Sequence, residues 1–149
     1  MLTHQGHFAR PTRRFVMAGA MTLGLLTLAS VCQAEELPNF RKGLWEFNRT
    51  IANPSGQTKT ITAKKCTNPT DDMKKQNDML AKAGCKFTPM TRSGSSYSFS
   101  SQCNIQGISA QSKSVISVES DAAYKIDVES VQDGAKTKER LVAKRMADC

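Results

Sequence analysis

From residue 43 onward, apolar and polar positions alternate over short stretches, the period of half-buried β-strands. In 43–52, Trp45, Phe47 and Ile51 share a face that Arg49 interrupts. Asn53-Pro54-Ser55-Gly56 is a turn, and 58–66, rich in Thr and Ile, is a second strand ending at Cys66. The pattern then changes once. Thr70 is read as an N-cap, Asp71 and Asp72 put negative charge in a first helical turn, and helix formers run through residue 83. Gly84 follows as a C′ residue. Met73, Leu80 and Ala83 make only a thin apolar stripe, so this helix is expected to lie on a sheet or cap an opening.

Alternation resumes with two hairpins whose registers follow from their turns. Folding about Gly94 puts Cys85 opposite Cys103, Phe87 opposite Ser101, Pro89 opposite Phe99 and Thr91 opposite Tyr97, all on one face. In that register Pro89 occupies a non-hydrogen-bonded position and removes no ladder bond. Gln106-Gly107 turns the chain into 108–118, where Ile116 and Val118 share a face. In 124–131, Tyr124, Ile126 and Val128 point one way and Lys125, Asp127 and Glu129 the other. Asp133-Gly134 is the strongest hairpin turn in the chain. It sets Ile126 opposite Leu141 and Tyr124 opposite Ala143, and brings Asp127 to Arg140 and Glu129 to Lys138. Residues 35–42 read as a short polar lead. The fold class is mainly β (α+β): an antiparallel meander of about seven strands forming a curved sheet or small barrel or cup, with one short helix after strand two.

The first residues obey a different logic. Residues 1–14 hold Arg10, Arg13 and Arg14 and no acid; an apolar run from Phe15 to Leu28 follows, then Ser30-Val31-Cys32-Gln33-Ala34. This is the pattern of a cleaved signal peptide covering 1–34, with cleavage between Ala34 and Glu35, leaving a single domain at 35–149. The run is too short for a membrane-spanning helix, which needs about 20 residues. Arg13-Arg14 sits in a poor twin-arginine context, and Val31 before Cys32 disfavours lipidation. The 149-residue chain carries a net charge of +8, two histidines and five cysteines. Cleavage removes three arginines and no acid, so +8 becomes +5. It also removes His4, His7 and Cys32.

Four cysteines in a short exported domain read as disulfides. Spacing alone allows three pairings; the hairpin register favours Cys85–Cys103, which leaves Cys66–Cys149. A tetrahedral metal site would bring its ligands in close pairs, and none of the cysteines lies close to another; no metal and no cofactor are expected.

Gly43-Leu44-Trp45-Glu46, the Cys-Thr-x-Pro-x-Asp segment from Cys66 to Asp71, the cysteine-bounded hairpin and the basic ending Ala143-Lys144-Arg145-Met146-Ala147-Asp148-Cys149 occur in that order. Together they resemble the exported bacterial proteins grouped as domain of unknown function 3617, over about residues 40–149. Lys42 stands where that family has proline, and Ala147 where it has glycine. The resemblance implies a Gram-negative periplasmic setting and a β-rich fold, and no activity.

A mature chain without histidine runs no Ser-His-Asp or Cys-His site, and no phosphate-binding or dinucleotide motif occurs. Asp71 with Asp72, and Asp127 with Glu129, are the only paired carboxylates considered, and both pairs read better as a helix start and as salt-bridge partners. The chain is therefore expected to be non-catalytic: a periplasmic binding or envelope-interaction module of unknown ligand. Two faces are candidates. Trp45, Phe47, Phe87, Phe99, Tyr124 and Ile126 line either a packed core or a cup for an apolar small molecule. Lys136, Lys138, Arg140, Lys144 and Arg145 form a basic surface for an anionic envelope component, or a solvated edge. Nucleic acid is disfavoured as a partner, because aromatic residues do not interleave with the basic ones.

Overall fold

The computed structural model describes residues 36–149. The segment read as a signal peptide, with its Ala34–Glu35 junction, lies outside the described residues. Eight strands and one helix follow in order: β1 (Gly43–Ala52), β2 (Thr58–Thr67), α1 (Pro69–Lys82), β3 (Cys85–Phe87), β4 (Thr91–Ser93), β5 (Ser96–Ile105), β6 (Ile108–Ser120), β7 (Ala123–Gln132) and β8 (Ala135–Ala147). All strands are antiparallel, in one curved, unclosed sheet ordered β2-β1-β8-β7-β6-β5-β3, with β4 also on β5. The meander from β3 to β8 is completed by β1, which pairs with β8 on one side and β2 on the other.

The turns carry the registers expected of them. Asp133 and Gly134 both have positive φ, as a two-residue type I′ turn requires. They place Ile126 opposite Leu141 and Tyr124 opposite Ala143. Asp127 meets Arg140 and Glu129 meets Lys138 across the same ladder. Gln106 and Gly107 repeat the geometry between β5 and β6.

The arm before β5 departs from the expectation. Cys85, Lys86 and Phe87 do face Cys103, Gln102 and Ser101. Beyond them the register slips by one residue: Thr91 faces Ser98 and Arg92 faces Tyr97. Pro89 therefore does not face Phe99, nor Thr91 Tyr97. Pro89 has no N–H, so the chain bulges over Thr88–Met90 and the arm becomes two strands, making eight where about seven were expected. Thr88 bridges the gap. Its N–H donates to the Ser100 carbonyl at 2.9 Å, and its Oγ1 accepts from the Ser100 N–H at 2.9 Å. The slip also sets the Arg92 guanidinium over the Tyr97 ring, 5.1 Å from its centroid.

The helix starts two residues earlier than expected. Asn68, not Thr70, is the N-cap: its side chain accepts from the Thr70 N–H at 3.1 Å, and Pro69 occupies the first turn. Thr70 is freed to tie down the segment before β1. Its Oγ1 accepts from the Phe40 N–H and donates to the Pro38 carbonyl, both at 2.9 Å. Residues 36–42 are thus not a solvated lead, since Pro38 and Phe40 are buried. The helix ends at Lys82, and Gly84, at φ +105°, turns the chain into β3.

Two covalent links fasten these parts: Cys85 is bonded to Cys103, across β3 and β5, and Cys66 to Cys149. On chain entropy, the 83-residue separation of Cys66 and Cys149 contributes about 4.5 kcal/mol, against about 3 for the 18-residue separation of Cys85 and Cys103. Replacing Cys66 and Cys149 together by serine is therefore expected to lower unfolding stability more than replacing Cys85 and Cys103, as read by urea denaturation. The reverse order would show that native-state packing outweighs loop closure. Trp45→Ala, which empties the centre of the core, is expected to cost about 3–5 kcal/mol in the same assay.

Candidate functional site

The register assigns side chains to two faces. Trp45, Phe47, Arg49 and Ile51 of β1 stand on the same face as Ala143, Leu141 and Glu139 of β8. Tyr124, Ile126 and Val128 of β7 and Val118, Ile116 and Ser114 of β6 continue it. Tyr97, Phe99 and Ser101 of β5 and Phe87 of β3 complete it. All six apolar residues singled out from the sequence lie on this face.

They do not share one environment. At the end where β2 finishes and the chain enters β1, Phe40, Trp45, Tyr97, Ile116, Tyr124 and Ala143 form a buried cluster. Phe40 stacks on Tyr124 with centroids 4.3 Å apart, and Trp45 meets Phe40 edge-on at 6.0 Å. The Trp45 Nε1–H donates to the Arg41 carbonyl at 2.9 Å, so the indole is buried with its one donor satisfied. Burial, then the Asp72 charge, pushes the Tyr124 hydroxyl well above its ordinary pKa. Trp45 and Tyr124 are therefore core. Phe47, Phe99, Ile126 and Leu141 pack against this cluster and remain half-buried. Phe87 meets Phe99 at 6.2 Å. Sequence reasoning missed Phe40; its signal was the spacing of Leu37 and Phe40 in a stretch taken as polar.

Toward the opposite end, where the Gln106-Gly107 and Asp133-Gly134 turns sit, the same face becomes hydroxylic. Ser101 and Ser112 approach Oγ to Oγ at 2.8 Å, and Ser130 and Thr137 pair across β7 and β8. Between the apolar and hydroxylic zones lies one ion pair. Arg49 Nε and a terminal nitrogen donate to the two Glu139 oxygens at 2.6 and 2.7 Å, a fork across β1 and β8. The Glu139 carboxylate holds the Arg49 guanidinium above its ordinary pKa, against the opposing effect of desolvation.

The helix joins the two free edges of the sheet, leaving β2 beside the aromatic cluster and entering β3 at the hydroxylic end. Its Met73 packs against the cluster. Asp72 secures its first turn to β2: Lys65 Nζ donates at 2.9 Å and Thr67 Oγ1 at 2.7 Å. Partial desolvation raises the Asp72 pKa, but those two hydrogen bonds, with the charges of Lys65 and Lys75, outweigh it and hold the carboxyl below its ordinary value.

The basic residues of β8 are largely matched by acids. Lys138 pairs with Glu129 at 3.0 Å and Arg140 with Asp127 at 2.6 Å. Arg145 is not part of an exposed surface. Its side chain is 12% exposed, its Nε donates to the Lys42 carbonyl at 2.9 Å, and its guanidinium pairs with Asp148. It runs over Gly43, where a Cβ would come within 2.5 Å of the Ala147 carbonyl oxygen. Only Lys136 and Lys144 of the five remain exposed without an acidic partner among the described residues. Asp127 and Glu129 are occupied by these pairings and Asp72 by Lys65, while Asp71 is exposed at the helix start. A depression of 510 Å³ lined by Lys86, Phe87, Gln102, Gln111, Lys113 and Val131, among others, is mixed in character and open. Among the described residues no group of three or more His, Cys, Asp or Glu converges as metal ligands, and no helix is long and apolar enough to cross a membrane.

A family model described as a protein of unknown function (DUF3617) matches residues 40–149. No curated protein and no solved structure matches the chain.

Because Asp72 titrates lower in the folded state than in the unfolded chain, its contribution to stability is complete above the unfolded value near 3.8 and is lost as pH falls through the folded one. Asp72→Asn is expected to lower stability at pH 7 and to flatten the acid limb below pH 4, as read by urea denaturation at a series of pH values.

Proposed function

The chain belongs to the DUF3617 family, a grouping that carries no activity with it, and we propose from its own geometry that it is an exported, non-catalytic module that binds an apolar small molecule on the inner face of its sheet. One observation carries this reading. Phe47, Leu141, Ile126 and Phe99 lie diagonally across the inner face on β1, β8, β7 and β5, with the buried Ile116 of β6 between the last two; each packs against the buried cluster and stays half-open. Half-open apolar side chains gathered on one concave face beside polar neighbours are what a binding surface for an apolar molecule presents. The curved, unclosed sheet supplies the concavity.

Export is supported by the arginine-led apolar start of the sequence and by the two disulfides, which persist in oxidising compartments such as the periplasm of a Gram-negative cell. Docking to an anionic envelope component draws less support, since three of the five basic residues on β8 already hold acids of this chain.

Native mass spectrometry of protein isolated from its own periplasm is expected to show a bound hydrophobic species. Ile126→Asp is expected to lose at least tenfold in affinity for a neutral lipophilic fluorophore while keeping its far-UV spectrum, because a charge now sits in the apolar row. An unchanged affinity would place the fluorophore elsewhere and overturn the assignment.

A further inference from the structure

Arg49 is the residue that breaks the apolar alternation of β1, and the fold puts it in the middle of the inner face. Phe47 and Ile51 flank it along its own strand, and Ile61 and Leu141 stand opposite it on β2 and β8. A cation among four apolar neighbours is a poor choice for a floor that serves only packing. Its partner Glu139 is the one acid on this face of the sheet, and the two oxygens of that carboxylate fill the guanidinium fork. The pair is not sealed: the Arg49 side chain is 49% exposed. Lys59, opposite Ile51 on the same face, is exposed and has no acidic partner among the described residues. The other cations of this face are engaged: Lys65, opposite Trp45, is held by Asp72 from the helix, Arg145 pairs with Asp148, and Arg92 lies over the Tyr97 ring. At the border where apolar side chains give way to hydroxyls, the inner face thus offers two cations, Arg49 and Lys59, to one anion, Glu139.

Resting on the binding reading above, we propose that the ligand is a single-chain amphiphile with a carboxylate head, whose chain lies on the Phe47–Leu141–Ile126–Phe99 row and whose head takes the place of Glu139 on Arg49. The carboxylate is favoured over a larger anion because the fork already holds one carboxylate, two oxygens on two N–H donors, so the exchange is one for one. Glu139 is then a resident substitute that keeps Arg49 paired when no ligand is present and moves aside toward the Lys59 ammonium when one binds. No bond is made or broken; the step is an exchange of ion pairs.

The test uses displacement of the neutral fluorophore N-phenyl-1-naphthylamine from the folded protein by hexadecanoate and by hexadecanol, which differ only in the head. Hexadecanoate is expected to displace at about tenfold lower concentration, the size of one charge-assisted interaction. Arg49→Gln is expected to erase that difference by weakening displacement by hexadecanoate far more than by hexadecanol. Glu139→Gln leaves Arg49 unpaired and is expected to widen the preference, an outcome that a purely structural pair would not give; it also decides the matter if Arg49→Gln does not fold. Equal displacement by acid and alcohol in the native protein, or a preference that survives in Arg49→Gln, overturns the role of Arg49 and leaves the apolar face as a binding site. Failure of the fluorophore and of both competitors to bind the native protein overturns the binding reading itself, and this inference with it.

Discussion

Trp45 is the point through which the rest of the molecule is held. Fully buried, it meets Phe40 from the segment before β1, Phe47 from its own strand and Tyr124 from β7. Its strand is the only one that binds both an edge strand and the end of the meander, since β1 lies between β2 and β8. The buried cluster is small, with six members, and by itself is a modest core for this length of chain. The arrangement works because other bonds converge on the same corner. Thr70 ties Phe40 to the helix, Arg145 lies over Gly43 and binds the Lys42 carbonyl, and Cys66 is joined to Cys149. The packed end of the sheet is thereby fixed, and the remaining apolar residues are left free to present a surface.

That division explains a gradient no single strand reveals. Along the inner face the side chains run from aromatic, through branched aliphatic and one ion pair, to a band of serine and threonine, beyond which Ile105 and Ile108 face each other at the β5–β6 turn. A sheet buried over its whole face would carry aliphatic residues to both ends of every strand. Here β5 passes from Tyr97 through Ser101 to the exposed Ile105, and β7 goes from Tyr124 to Ser130. The hydroxyls satisfy one another, as Ser101 and Ser112 do, so the wet end carries no unpaired burden. An amphipathic floor of this kind is what the proposed amphiphilic ligand would need.

Legibility in the sequence followed the range of the interaction. Where the determining contact was local, the residues were enough: Asp133-Gly134 dictated four cross-strand pairs. Cys85 does face Cys103, but the turn at Gly94 sets a register one residue away, which the bulge at Thr88–Met90 restores. Where a side chain answered to something distant, the residues were not enough. Thr70 looked like an N-cap because threonine caps helices, yet its hydroxyl is used by Pro38 and Phe40, more than thirty positions away, and Asn68 caps instead. Phe40 seemed to belong to a polar lead because its partners are on β1 and β7. Pro89 was assigned to a harmless ladder position, whereas the chain found it easier to bulge. Arg49 was visible from the start as an interruption; only the register of β8 showed that Glu139 stands beside it.

The pairing of β1 with β8 has a consequence for how the fold is reached. Arg49 and Glu139 are separated by 90 residues, and the whole β1–β8 ladder has comparable reach. Contacts of such long range form late, because the entropy of closing the intervening loop precedes any reward. Until β8 has emerged, β1 and β2 are an isolated hairpin, which is marginal in water, and the aromatic corner lacks Ala143. A chain of this topology therefore completes its sheet only once β8 is available, which is the order that the proposed export would require.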